Sequence, residues 1–237
     1  MNRLIRWTLA SLALALSSYP AQALTLSSSI TQARVLSRDA SSSARQRFTD
    51  AQITALLNEG QSQAIARTWC AQSSTTIQLV VGTTYYAVPS NFLAVRRVTR
   101  DNLQIQEITP AALDSRSRGW ETVTGVPLYY FINFSTRGMI GFSPFPTVAT
   151  DTATIKMDYF IKVNDLSSSS DQPFNGIQEF TDFHYGLPLF AAYRMTLIMG
   201  DSTLAGAYLQ GYESMVQNLA QRCTDRPNYL PGAIAKP

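Results

Sequence analysis

The spacing of the hydrophobic residues changes twice along this chain of 237 residues, and this change restricts the fold more than any other feature. Apolar residues recur at helical spacing near both ends, whereas the middle of the chain alternates with a period of two, most clearly in residues 153–163. Six or seven short strands separated by turns predict an antiparallel β-sandwich or barrel. We therefore predict an α+β protein, in which N- and C-terminal helices form a bundle and the β domain is inserted between them.

The same periodicity predicts domain boundaries. The helical domain comprises residues 24–72 and 179–223, and the inserted β domain comprises residues 73–166. Residues 224–237 are predicted to form an extended C-terminal arm, because prolines recur there and interrupt regular structure.

Three local signals refine the helical part. Thr49 and Gln52 form a T-x-x-Q capping box, which predicts that a helix begins directly after Thr49. Gly60 lies near the apolar face of that helix, where the missing side chain permits close approach of another helix. Pro188 is predicted to kink the helix that contains it or to lie in its first turn, because proline removes a helix hydrogen bond.

The first 23 residues have the pattern of a secretory signal peptide. Arg3 and Arg6 precede an apolar run, residues 7–16, and Ala21-Gln22-Ala23 provides small residues at the spacing of a cleavage site. The apolar run is too short to cross a hydrocarbon core of about 30 Å as a helix. The leader is therefore either removed on export or retained as an apolar helix packed on the protein, and both interpretations stay open.

Composition excludes two classes of protein. Hydrophobic residues make up 45% of the chain and charged residues 15%, against about 25% charged in typical soluble domains. Such a chain is not disordered, because disorder requires low hydrophobicity and high charge. A formal net charge of +3 is too small for a strongly basic nucleic-acid-binding protein.

The sequence contains no motif that carries catalysis. It has no phosphate-binding loop, no HExxH and no GxSxG at a strand end, and its carboxylates are scattered. The single histidine, His184, favours a packing or hydrogen-bonding role, and it excludes a multi-histidine metal site. We predict a non-enzyme without catalytic residues, metal or cofactor; the remote alternative is an enzyme whose site combines His184 with distant Ser and Asp residues.

Several segments, taken in order, carry a resemblance to a known family. They are FTDAQI (48–53), LNEGQ (57–61), YYAVPSNFL (85–93), GVPLYYF (125–131), GFSPFP (141–146) and the amphipathic helices that contain residues 191–193 and 208–219. In this order and spacing the chain resembles the head–tail adaptor (connector or neck) proteins of tailed bacteriophages, over most of residues 24–222.

The resemblance implies a structural virion protein of the neck that is assembled in the host cytoplasm. It implies a ring of about twelve copies, closed by head-to-tail contacts between subunits. The ring would bind the portal protein above and a tail nozzle or tail-tube protein below. Genomic DNA would pass through the lumen without sequence-specific binding. Subunit interfaces of this kind also fit the low content of charged residues.

Six residues are candidates for contacts with the portal protein or with a neighbouring copy. Four are arginines that precede or enter the second helix, where positive charge suits a portal contact or channel phosphate. Two are apolar or aromatic residues of the C-terminal arm. They are Arg34, Arg38, Arg45, Arg47, Tyr229 and Leu230.

Cys70 and Cys223 are the only cysteines, and both lie where a helix borders the β insertion. This topology brings their regions together, so a disulfide is conceivable. For a protein assembled in the cytosol, two reduced buried thiols are favoured.

The competing interpretation is an exported, β-rich binding protein of the periplasm or envelope that recognises carbohydrate or protein. It rests on the leader. A mature species that begins at Leu24 in the periplasm would favour it, whereas a full-length species in capsids would favour the virion role.

Overall fold

The computed structural model describes residues 23–39, 46–133, 138–146 and 154–224. The leader before Ala23, Arg45 and the arm beyond Thr224, with Tyr229 and Leu230, lie outside the described residues. Within those residues the protein has five α-helices and two four-stranded sheets, which confirms the predicted α+β class.

The helices and strands follow one another in the order that the spacing of hydrophobic residues predicts. The helices are α1 (Leu26–Ser37), α2 (Asp50–Thr68), α3 (Pro110–Arg116), α4 (Gly186–Ile198) and α5 (Ser202–Thr224). The strands are β1 (Gln72–Gln78), β2 (Tyr85–Ala87), β3 (Phe92–Arg100), β4 (Leu103–Gln104), β5 (Gln106–Glu107), β6 (Tyr129–Asn133), β7 (Met139–Ser143) and β8 (Thr154–Ile161). Short 3₁₀ helices are Trp120–Thr122, Pro173–Gly176 and Gln178–Phe183.

Contacts divide the chain into two compact units. Among the described residues, the first unit contains those up to Thr68 together with Asn164–Arg222, and the second contains those of Trp69–Val163 together with Cys223 and Thr224. The first unit holds α1, α2, α4 and most of α5, whereas the second holds all eight described strands and α3.

The helix starts follow the local sequence. Thr49 Oγ1 accepts the Gln52 N–H at 3.2 Å, while Gln52 Oε1 accepts the Thr49 N–H at 2.8 Å, which confirms the predicted capping box. α1 begins with a second capping box between Thr25 and Ser28, which was not predicted. Both boxes satisfy backbone donors that a helix start otherwise leaves unpaired.

Gly60 in α2 and Pro188 in α4 have the roles that the sequence predicts. A Cβ at Gly60 would lie 2.9 Å from Phe190 Cδ1, so α2 and α4 are in direct contact because Gly60 has no side chain. The buried Tyr212 hydroxyl of α5 donates to the Gly60 carbonyl at 2.8 Å. Pro188 lies in the first turn of α4, which begins at Gly186, and so leaves no helix hydrogen bond unmade.

The second unit is built on two sheets. Their strand orders are β1-β8-β3-β4 and β2-β7-β6-β5. β8 pairs antiparallel with both of its neighbours, so that Ile155 lies opposite Ile77 and Met157 opposite Val98. These side chains are buried on the predicted face of the alternating segment. Phe160 departs from the alternation: it is buried too, with its ring centroid 5.3 Å from that of Trp69.

One strand pair differs from the expectation of an all-antiparallel block. β5 pairs with β6 in parallel, with Gln106 opposite Tyr129. Parallel neighbours require a crossover connection instead of a hairpin. The chain provides one here, because α3 and the 3₁₀ helix Trp120–Thr122 lie between the two strands.

Cys70 and Cys223 form a disulfide, so the expectation of two reduced thiols was wrong. Their Cα atoms are 5.6 Å apart and both side chains are buried. The expectation rested on the redox state of the cytosol, whereas the pairing follows from topology. The chain enters the second unit at Trp69 and again at Cys223, which places both cysteines in that unit.

Candidate interaction surfaces

Arg34 lies at the end of α1 and binds two carboxylates. Its guanidinium donates to Asp39 Oδ2 and, at 2.5 Å, to Asp50 Oδ1. The Asp39 side chain is fully buried, and its Oδ1 accepts the backbone N–H of Arg47 at 2.8 Å. A buried carboxylate loses its hydration and therefore requires such partners. Arg34 thus fixes Asp39 and the start of α2 to the end of α1.

Arg38 and Arg47, by contrast, are exposed and line the same cavity of about 390 Å³. Arg38 is the C-cap of α1 and has a left-handed backbone with φ 58°. The cavity also touches the end of α4 through Thr196 and Met199. Its lining residues are Ser37, Arg38, Asp39, Arg47, Thr196, Met199, Asp201 and Leu204.

The structure therefore separates the predicted arginines by environment. Arg38 and Arg47 line one cavity, and we call these two exposed arginines the arginine surface. Arg34 is 9% exposed and is engaged by Asp39 and Asp50.

In the second unit, three segments at the ends of strands lie side by side. The N–H of Gly82 donates to the Pro146 carbonyl at 2.8 Å. The N–H of Phe145 donates to the Val123 carbonyl at 3.2 Å, and the N–H of Gly125 donates to the Phe145 carbonyl at 2.9 Å. The chain near residue 81 and the chain near residue 124 are thereby both attached to the segment after β7.

These segments expose aliphatic side chains together. Val80, Val81, Val123 and Val126 are 40% exposed or more, and Leu128 is 58% exposed. We call these five residues the apolar surface. The alternating pattern of the middle of the chain did not reveal these five residues as an exposed set. The available signal was the position of apolar residues directly beside turn glycines, Gly82 and Gly125.

A buried polar network in the first unit was also missed. Gln61 is fully buried; its Nε2 donates to Asn58 Oδ1 at 3.1 Å and to the Asn164 carbonyl at 2.8 Å. Its Oε1 accepts the Phe174 N–H at 3.2 Å. Asn58 in turn donates to the Leu166 carbonyl at 3.1 Å. Two polar residues on the inner face of α2 therefore hold the chain that follows the β segment.

His184 has the hydrogen-bonding role that the sequence favoured. It is 1% exposed, and its Nδ1 accepts the Leu24 N–H at 3.2 Å. Burial lowers the pKa of the imidazole to about 4, and the charge of Asp182 opposes this shift. The ring is therefore neutral at pH 7, with its hydrogen on Nε2, for which the described residues provide no partner.

In the described ranges, no group of three or more His, Cys, Asp or Glu side chains is placed to bind a metal ion. None of the described helices combines the length and apolar character that a membrane span requires.

Comparison with known families identifies the chain. The family model described as SU10 adaptor protein matches residues 24–233. No match was found among curated proteins. The family match extends from the residue bound by His184 to beyond the end of α5, and it confirms the resemblance to phage head–tail adaptors. The chain therefore belongs to the SU10 adaptor protein family, a family of structural adaptor proteins of bacteriophages.

Proposed function

We propose that this protein is the head–tail adaptor of a tailed bacteriophage, and that about twelve copies form a ring between the portal protein and the tail. The observation that carries the proposal is the family match over residues 24–233, because it assigns the chain to adaptors that contact other virion proteins. The ring assembles in the host cytoplasm, stays in the virion neck and binds a tail nozzle or tail-tube protein below.

In this proposal the two units are the domains of the protein. The helices of the first unit form a bundle, and the sheets of the second unit form a sandwich inserted in it. The division of contacts between the chain ends and residues 69–163 supports this organisation.

The apolar surface is the contact with a neighbouring copy. Clustered exposed aliphatic side chains are uncommon on monomers and are typical of protein interfaces. A ring requires a head-to-tail contact, in which this surface meets a different patch of the next subunit. The occupant we commit to is therefore a second copy of this chain.

The arginine surface is the contact with the portal protein. Arg38 and Arg47 are exposed and line one cavity, and arginine is enriched at protein interfaces relative to the rest of the surface. Arg45, Tyr229 and Leu230 remain proposed contacts of the same kind. Arg34 acts there by positioning Asp39 and the start of α2, since its guanidinium is engaged by Asp39 and Asp50.

The protein acts without catalysis or cofactor. DNA passes through the lumen of the ring and makes only non-specific contacts there, which fits a net charge of only +3 per subunit. Strong phosphate binding would oppose genome exit, because each contact must be released as the duplex moves.

Ring formation is tested by native mass spectrometry and electron microscopy, alone and with the portal protein. We expect closed rings for the wild-type chain and single subunits for the variant Val126→Asp with Leu128→Asp. The matched control is Leu103→Asp, which changes a side chain that is 75% exposed on β4 and is not one of the five residues of the apolar surface. Single subunits of the wild-type chain under every condition would overturn the proposal.

Portal binding is tested with charge reversals. Arg38→Glu with Arg47→Glu is expected to weaken portal binding while rings still form. Arg118→Glu, an exposed arginine of the second unit, is the control and should bind as the wild type does. Equal binding of both variants would remove the arginine surface from the proposal.

One observation favours the second candidate, an exported periplasmic or envelope binding protein. The disulfide Cys70–Cys223 is a bond typical of oxidising compartments. Cell fractionation separates the two candidates: soluble periplasmic protein without particle association supports export, and recovery of the chain in purified virions supports the adaptor.

A further inference from the structure

We propose that an extended segment of a neighbouring copy pairs with the free edge of β1 and adds a strand to its sheet. The pairing rests on the proposed function, since it forms a further part of the contact between subunits of the ring. It gives that contact a backbone component beside the side chains of the apolar surface. In strand addition, main-chain hydrogen bonds provide affinity and side chains at alternate positions provide specificity.

β1 lies at the edge of its sheet and pairs on one side only. The strand order is β1-β8-β3-β4, and every residue of β1 lies opposite a residue of β8. The N–H of Ile161 donates to the Ala71 carbonyl at 3.0 Å, so the odd-numbered residues from Ala71 onward direct their backbone groups toward β8. The even-numbered residues direct theirs away from β8; they are Gln72, Ser74, Thr76 and Gln78.

The outward backbone groups of β1 are open to another chain. Within the described ranges, β8 is the one segment whose backbone forms hydrogen bonds with β1. Ser74, Thr76 and Gln78 are also exposed to solvent. A sheet edge with such unpaired donors and acceptors is a template for pairing with another chain.

β1 lacks the features by which sheet edges avoid this pairing. Such edges are short, bulged, charged or interrupted by proline. The edge strands β2, β4 and β5 have only two or three residues each. β3, which extends beyond β4, has two irregularities of register and carries Arg96 and Arg97. β1 is instead a regular run of seven uncharged residues without proline, QSSTTIQ. An added strand therefore meets no charge and no missing donor along β1.

A second copy is the occupant because β1 leads directly into the apolar surface. Val80 and Val81 belong to that surface, and Leu79 alone separates them from the end of β1. An interface of standard size uses about 20–30 residues on each partner, whereas the apolar surface has five. The contact with the neighbouring copy must therefore extend beyond these five residues, and β1 continues it along the chain. The donor is a segment other than β1, because pairing of β1 with itself would be two-fold and would close as a dimer.

Hydrogen exchange at single-residue resolution tests the pairing in wild-type rings. The reference is the double aspartate variant of the apolar surface, which is expected as single subunits. We expect the Ser74 and Thr76 N–H groups to exchange at least about fivefold more slowly in rings, as one hydrogen bond of about 1 kcal/mol predicts. The Ser73 and Thr75 N–H groups, which point toward β8, are the internal control and should exchange slowly in both.

Each alternative has its own result in this measurement. Rings in which Ser74 and Thr76 exchange as fast as in single subunits would overturn the pairing and leave the proposed function standing. Slow exchange already in single subunits would show that the chain covers its own edge, and slow exchange only with portal protein would assign the edge to the portal; either would overturn the second copy as occupant. Dimers joined through β1 would overturn it too. Absence of rings under every condition would overturn the pairing together with the proposed function.

A proline at the same edge tests the pairing by substitution. Thr76→Pro removes an outward N–H and leaves the hydrogen bonds to β8 in place. We expect native mass spectrometry to show single subunits of this variant, with helical circular dichroism as in the wild type. Thr76→Val, the matched control, keeps the N–H and the branched side chain and should form rings. Equal ring formation by both variants would overturn the proposal. If the proline variant does not fold, the exchange rates in wild-type rings decide.

Discussion

The two units of this adaptor differ in how many polar and charged side chains they bury. Among the described residues, the buried polar and charged side chains belong to the first unit, with the exceptions of Thr99 and Ser143. Both units bury aromatic rings, but in the second unit these rings have few buried polar side chains beside them: Phe131 packs edge-on against Trp120, with ring centroids 5.1 Å apart, and lies opposite Gly141. A Cβ at Gly141 would overlap the Phe131 ring.

The difference follows from how each unit is connected. The first unit joins two stretches of chain that are far apart in sequence, and His184 and Gln61 link them through hydrogen bonds to Leu24 and Asn164. The second unit is formed by one nearly continuous stretch, whose backbone ladders already fix its register. Directional polar contacts thus specify a long-range arrangement in the first unit, whereas apolar packing suffices in the second.

The largest expected effect is reduction of the disulfide. Closing a loop between residues 153 positions apart stabilises the protein by about 5 kcal/mol in the chain-entropy model. Both cysteines belong to the second unit, so the tryptophan fluorescence transition, which reports on Trp69 and Trp120, should shift more than the helical circular dichroism transition. The control is Cys70→Ser with Cys223→Ser, which should not respond to reductant. Free thiols in the native protein would contradict the pairing.

Phe131→Ala is expected to lower the free energy of unfolding of the second unit by about 4 kcal/mol, because it leaves a cavity between Trp120 and Gly141. Denaturant titration followed by tryptophan fluorescence measures this change. Leu128→Ala, on the approach to the same strand but 58% exposed, should change stability by less than about 0.5 kcal/mol. Equal effects would show that the aromatic cluster does not stabilise this unit.

Asp39→Asn is expected to cost the first unit about 3 kcal/mol, because it leaves the buried Arg34 guanidinium with only the exposed Asp50 as a charged partner. Denaturant titration followed by circular dichroism reports on the helices. Glu213→Gln is the control: its ion pair with Arg67 is similarly short but half-exposed, so at most about 1 kcal/mol is lost. A cost for Asp39→Asn no greater than for Glu213→Gln would show that the buried ion pair stabilises the first unit no more than an exposed one does.

The smallest effect is a pH dependence from His184. Burial holds its folded-state pKa at about 4, below the ordinary 6.5, so the unfolded chain binds a proton first as pH falls. The first unit should therefore lose about 2 kcal/mol between pH 7.5 and pH 5. The melting temperature across this window measures the loss, and His184→Gln should flatten it. The lowered carboxyl pKa values of Asp171 and Glu213 act only at lower pH.

Local elements were predictable because their signals lie within a few residues. The Thr49–Gln52 capping box, the first-turn position of Pro188 and the burial of Ile155 and Met157 on one face of β8 all follow from short-range pattern. Side chains repeat every two residues in a strand and every 3.6 residues in a helix, so the residues that share a face follow from the local sequence alone.

The burial of charged side chains and the partners of their ion pairs were not predictable in the same way. Arg34 and Arg38 are four residues apart in a similar polar context, yet one is buried between two carboxylates and the other is exposed at a cavity. Whether a charged side chain is buried depends on which distant group compensates it.

The sequence by itself thus determined the element types, their order and the family resemblance, because hydrophobic period and turn residues act locally. Only the tertiary structure decided that Cys70 bonds to Cys223, that β5 lies parallel to β6, and that His184 accepts a hydrogen bond from the Leu24 N–H. Each of these joins residues distant in sequence. Such contacts form where the packing of the whole chain places both partners, and no short window of sequence contains that information.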